Sequence, residues 1–188
     1  MDKVRFGFRN VVYAPVTNET ASVITYGTVK KFAEEGAGGV SVALSPRGDS
    51  FEKNADDVVW FKKDNNQGYE GDLIMTILTD SFKKDCLGWA EDENGVLIEN
   101  ADAAFTPFAL GFEVQGNEKA TRTWYYYCVA SRPNDEANTK ESDMSTNDVT
   151  LSITALPRPT DKDVKATAKA SDNVYSTFFD SVYEKSVS

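Results

Sequence analysis

The chain has 188 residues, of which 40% are apolar, and its 20 Lys and Arg against 30 Asp and Glu give a formal charge of −10. That much apolar side chain supports one packed domain and excludes wholesale disorder. Histidine is absent and cysteine occurs only at Cys86 and Cys128, which excludes Ser-His-Asp and Cys-His nucleophile systems, histidine-type zinc sites, iron–sulfur clusters and a multi-disulfide scaffold.

In chain order, the first residues are positively charged but no apolar run follows them, so no targeting segment is read there. No stretch reaches the ~20 apolar residues of a membrane helix. Folding in a cytoplasm, with both cysteines reduced and unpaired, is the expectation. Gly36-Ala37-Gly38-Gly39 lets the chain bend into a strand in which Val40, Val42 and Leu44 alternate with Ser41, Ala43 and Ser45. Residues 46–68 read as a long polar loop interrupted by Val58-Val59-Trp60-Phe61, and loops of that length in a small domain usually carry function. Residues 70–78 form a further strand. Asp80 then caps a short helix over 81–87, with Gly88 as the residue that ends it. Asn94-Gly95 signals a tight hairpin.

Phe108, Leu110, Phe112 and Val114 line one side of the next strand, with Ala109, Gly111 and Glu113 on the other. Residues 120–131 are apolar on both faces: Trp124, Tyr126 and Cys128 on one, Tyr125, Tyr127 and Val129 on the other. Such a strand is central to a sheet or sits at a subunit contact. Residues 133–147 form a second long, acidic loop, and 149–155 alternate as a half-buried strand. Pro157-Arg158-Pro159 and residues 160–173 read as a tether. The clearest helix is the last: Asp172 caps it, and Val174, Tyr175, Phe178, Phe179, Val182 and Tyr183 recur at helical spacing.

Short motifs offer no chemistry. Ser81-Phe82-Lys83-Lys84 matches a serine acyl-enzyme spacing but lacks its partners, and a helix start explains it. Asp92-Glu93-Asn94-Gly95 fails the ligand spacing of a calcium loop. The glycine run lacks the Lys-Ser/Thr of a phosphate loop. Arg47-Gly48-Asp49 spells an adhesion tripeptide, and a turn explains it equally. No acid pair is placed in an apolar pocket, so no catalytic, cofactor or metal residues are assigned. The charge is uneven: residues 91–118 hold seven acids and no Lys or Arg, the opposite of the basic face that gripping nucleic acid requires. The fold class is mainly β, with one internal helix, long loops and a C-terminal helix. This favours a structural or binding protein.

Several pieces, taken in order, carry a resemblance. They are Phe8-Arg9-Asn10-Val11-Val12-Tyr13-Ala14, Thr25-Tyr26-Gly27, Leu44-Ser45-Pro46 with Gly48-Asp49, and Gly68-Tyr69-Glu70-Gly71. Asp80 to Gly88 follows, then Asn94-Gly95-Val96-Leu97 with Glu99-Asn100-Ala101, and Pro107-Phe108-Ala109-Leu110. The second half adds Ala120-Thr121-Arg122, Ala130-Ser131-Arg132-Pro133, Ile153-Thr154-Ala155 with Pro157-Arg158-Pro159, and Val174-Tyr175 with Phe178. Together they resemble the major tail proteins of long, non-contractile-tailed phages of Gram-positive bacteria. Residues 51–61 and the run Trp124-Tyr125-Tyr126-Tyr127 depart from the pattern.

The resemblance implies a β-sandwich or barrel-like tail-tube domain over residues 1–159, with the long loop 46–68. A tether and helix over 160–188 would pack on that domain or on a neighbour's. It implies six-fold rings that stack into a tube, assembled in a host cytoplasm and ending in the virion tail. Its partners would be other copies of the chain, the tape measure, tail terminator and distal tail proteins, and DNA passing without specific binding; no membrane is involved. On that footing Phe51, Val58, Val59, Trp60 and Phe61 are expected at ring-to-ring contacts, because apolar residues in a polar loop need cover. Glu113, on the polar side of its strand, is expected to face the lumen. Val174, Tyr175, Phe178, Phe179 and Val182 are expected to pack the helix. The two-faced strand 124–129 is expected to serve ring formation. The alternative is a cell-surface or host-binding β-domain of adhesin or tail-tip type.

Overall fold

The computed structural model describes residues 4–116, 119–135 and 147–186. Strands β1 (Arg5–Glu19), β2 (Ile24–Tyr26) and β3 (Lys30–Lys31) come first, then a single 3₁₀ turn over Phe32–Glu35. They are followed by β4 (Gly39–Pro46), β5 (Ser50–Ala55), β6 (Val58–Asp64), β7 (Tyr69–Met75) and the helix α1 (Asp80–Cys86). The second half contributes β8 (Ala90–Glu91), β9 (Leu97–Ile98), β10 (Phe108–Gly116), β11 (Thr121–Ala130), β12 (Val149–Leu156) and β13 (Lys165–Lys169). The protein is mainly β, as its period-two patterning predicts. No helix among the described residues is long and apolar enough to cross a membrane.

One antiparallel sheet runs in the order β2-β1-β10-β11-β12-β7-β4, with β3 added to β1 and β13 to β11. The sheet curls until Gly39, at the start of β4, lies against β1. A Cβ there would sit 2.5 Å from the Phe8 and Val11 side chains, so only glycine permits the approach. Inside the curl lies the larger core. Tyr13, Phe32, Phe82 and Phe108 meet ring to ring at 5.0–5.4 Å, backed by Leu73, Met75, Leu110, Leu151 and Ile153. The helix closes it from one end, with Phe82 and Cys86 buried. Its N-cap is Thr79 rather than Asp80: the Thr79 hydroxyl accepts from the Phe82 N–H at 3.3 Å, and Asp80 is the first helical residue.

The strand that is apolar on both faces is central to this sheet and needs no neighbour to cover it. Trp124 and Tyr126 are buried in a second core on the outer face, Tyr125 and Cys128 in the first. Cys128 leaves the face expected of it because a bulge intervenes: Leu110 pairs with Tyr125 but Phe108 pairs with Cys128, one residue more on β11 than on β10. The support this strand offered for ring formation therefore falls away. Both cysteines are free and buried.

Two regions differ from the sequence reading in kind. Within residues 46–68 the chain forms a hairpin, β5 against β6, not a loop. The tether 160–173 contains β13, which pairs with β11 from Thr121 to Tyr125 before β12 takes over at Tyr127. Most of the expected loop 133–147, residues 136–146, lies outside the described residues.

The terminal helix is absent. Residues 172–180 form successive tight turns, Tyr175 N–H to the Asp172 carbonyl at 3.0 Å and Asp180 N–H to the Thr177 carbonyl at 3.0 Å. Asn, Val, Ser and Thr in 173–177 are weak helix formers. The carbonyls a helix would use are also occupied: Arg122 donates to those of Tyr175 and Ser176 at 2.6 and 3.2 Å, and the Trp124 indole to that of Phe178 at 2.7 Å. The apolar set still lands on the sheet. Phe178, Phe179 and Val182 are buried against Val12, Ala14, Ala109 and Trp124, and Tyr175 is half-buried. Val174, expected in this contact, is exposed.

Candidate assembly site

Glu113, expected on a lumen wall, is instead fully buried. Strand alternation does put it opposite Phe112, but that face of β10 is covered by the strap of residues 171–186. Its carboxylate accepts from the Arg9 guanidinium at 2.7 Å, Asn10 Nδ2 at 3.1 Å and Arg122 Nε at 3.0 Å. Arg9 and Asn10 are neighbours that would ordinarily point to opposite faces of β1. A bulge between Arg9 and Val12, with Asn10 at φ 53°, turns both toward the one carboxylate. Burial by itself would raise the Glu113 pKa; the hydrogen bonds from Arg122, Arg9 and Asn10 outweigh it and hold the group below the usual carboxylate range. Arg122 then stacks over the Tyr175 ring at 4.3 Å, tying β1, β10, β11 and the strap at one point. The cross-strand pairing of Glu113 with Arg122 is a signal available in the sequence, since the two residues flank one hairpin turn symmetrically.

A second tie escaped the sequence reading. Arg158, in the segment expected to be a tether, is buried and bonds Asp161 at 2.6 Å and Glu184 at 2.6 Å, with its guanidinium 4.4 Å from the Tyr126 ring. Hydrogen bonding from Arg158 outweighs burial and holds Asp161 well below its ordinary pKa. Lys185 bonds Asp163 at 2.7 Å. The strap is thus held by Arg122 at its start and Arg158 at its end.

The β5–β6 hairpin has no such cover. Phe51, Val58, Val59, Trp60 and Phe61 are all exposed, Trp60 at 69%. It leaves the sheet where Pro46 pairs with Tyr69. At its base the Arg47 N–H donates to the Gly68 carbonyl and the Arg47 carbonyl accepts from the Gln67 N–H. Gly48 has φ 136°, and a Cβ there would fall 1.7 Å from the Asn65 carbonyl oxygen. Packing of the hairpin base therefore accounts for the glycine of the Arg47-Gly48-Asp49 tripeptide. A second, smaller hairpin, β8–β9, turns at Asn94-Gly95 as its sequence predicts, and leaves Val96 and Ile98 about half exposed. The structure does not bring the three expected sets together: the hairpin residues are bare, Glu113 is in the interior, and the strap residues lie on the outer sheet face. Comparison with family models, characterised proteins and solved structures gives no match for this chain.

Proposed function

We propose that the protein is a structural, non-catalytic subunit that polymerises through its β5–β6 arm, as the tail-tube subunit of a long-tailed phage, in stacked six-fold rings through which DNA passes. The observation that carries this reading is the bare arm. An isolated two-stranded hairpin is marginal in water, and this one displays two Phe, one Trp and two Val to solvent, while the two faces of the main sheet carry their own buried cores. Such a patch marks a surface that another molecule covers. The acidic balance of the chain suits a conduit that DNA crosses without adhering, since each phosphate meets repulsion rather than grip. Tape measure, terminator and distal tail proteins would meet the two ends of such a tube.

Negative-stain electron microscopy and light scattering of the concentrated protein test the reading. Tubes or stacked rings of six are expected. A strict monomer at all concentrations, or rings of another order, overturns it, and a monomer that binds bacterial surfaces establishes the host-binding alternative.

A further inference from the structure

The two exposed hairpins leave the body at different points of the chain, the β5–β6 arm between β4 and β7 and the β8–β9 hairpin between α1 and β10. β7 starts at Tyr69 beside the arm and ends at Met75 opposite Gly39. β12 carries this direction across, Ala155 pairing with Tyr69 and Val149 with Met75. β11 runs past it from Tyr127, opposite Leu156, to Ala130, opposite Ile153, and β10 begins with Phe108 opposite Cys128, in the same row as Ala155 and Tyr69. The β8–β9 hairpin leaves the body between Leu87 and Pro107. It is tied to the chain just beyond β11 by the Arg132–Glu99 contact at 3.5 Å.

Their faces are complementary. On the arm, Phe51 pairs with Lys63 and Lys53 with Phe61, so these four share one face. The two rings are 6.3 Å apart. Among the described residues neither lysine is ion-paired, whereas Lys62 on the other face bonds Glu52 at 2.7 Å. On the β8–β9 hairpin, Ile98 pairs with Ala90, and the Asp92 N–H donates to the Val96 carbonyl, so Val96, Ile98 and Asp92 share a face. Residues 91–102 hold Glu91, Asp92, Glu93, Glu99 and Asp102 and no Lys or Arg; Glu91 is paired with Lys84 and Glu99 with Arg132, which leaves Asp92 as the carboxylate on the Val96–Ile98 face. Backbone N–H groups of Val96 and Asn94 bond the Asp92 carboxylate and keep it ionised.

We propose that the arm of one copy seats on the β8–β9 hairpin of the next, with its lysine-flanked rings on Val96 and Ile98 beside the Asp92 carboxylate. This rests on the tube reading and names the surface that receives the arm. Because donor and acceptor faces differ, the contact is heterologous. Each added copy leaves one arm and one acceptor free, so growth is open-ended. Opposite charges steer the encounter and set the orientation; two arms, or two acceptors, meeting face to face would repel.

Mixing a Phe61→Cys chain with an Ile98→Cys chain under mild oxidation tests this, since the native cysteines are buried. The expected product is a disulfide heterodimer in preference to either homodimer, and a ladder when one chain carries both substitutions. Tubes without the cross-link overturn the docking and spare the tube reading. A ladder without tubes in micrographs does the reverse, and a monomer with no cross-link overturns both. Lys53→Glu with Lys63→Glu is expected to abolish the ladder, and adding Val96→Lys to restore it. A ladder unchanged by the reversed arm overturns the docking.

Discussion

The strap and the arm begin from the same kind of sequence and end in opposite places. Each is a polar stretch interrupted by large apolar side chains, Phe178, Phe179 and Val182 in one, Phe51, Trp60 and Phe61 in the other. The strap lies on the sheet because β11 offers it donors, Arg122 and the Trp124 indole, and an apolar floor. The arm leaves the sheet at Pro46 and Tyr69 and meets no floor. Apolar residues in a polar segment call for cover, but residues far away in sequence decide whether the same chain supplies it.

The sharpest way to break this contrast is to end the chain at Ala170, which removes the strap and spares β13. Burial of Phe178, Phe179 and Val182 contributes about 1.5–3 kcal/mol each. Urea denaturation is therefore expected to show the largest loss of all, or no cooperative transition. Next comes Arg122→Leu, which strips one cation from a buried carboxylate and frees two strap carbonyls, for a loss of about 3 kcal/mol by the same measurement.

Acid acts on the same tie. The folded Glu113 pKa is depressed, so the stability it contributes is complete above its unfolded value of about 4.3 and is lost as pH falls through the lower folded value. Unfolding free energies compared above and below about pH 4 are expected to converge less steeply toward acid in Glu113→Gln than in the native protein. The smallest effect on stability belongs to the arm. Trp60→Ser with Phe61→Ser is expected to change the unfolding free energy by no more than about 0.5 kcal/mol while abolishing polymers in scattering. A loss above that would mean the body already covers the arm.

What was legible in the sequence follows the same division. Strands with clean alternation, β4, β7, β10 and β12, stand where period two places them, and the Asn94-Gly95 turn is local chemistry that needs no context. The terminal helix failed because periodicity reports which residues are buried, not which backbone hydrogen bonds form. Phe178, Phe179 and Val182 are buried, but Arg122 and Trp124 hold carbonyls that a helix would have used. Glu113 failed for a related reason: alternation gave its face correctly, while the strap that covers that face is tethered some sixty positions later, at Tyr175 and Phe178. β1 escaped notice because two bulges and a Gly7 and Asn10 with positive φ break its alternation.

The pairing of β1 with β10 also sets the order of events in time. Asn10 and Glu113 bond across 103 positions, so on the ribosome most of β1 waits for its main partner until Gly116 has emerged. Closing so long a loop costs entropy before any contact rewards it, and topologies of this kind reach their final state slowly. The arm has no such delay, since β5 and β6 are joined by two residues and can pair within microseconds. Its apolar side chains are thus on display while the body that presents them is still incomplete, and crowded synthesis of this chain is expected to be prone to aggregation.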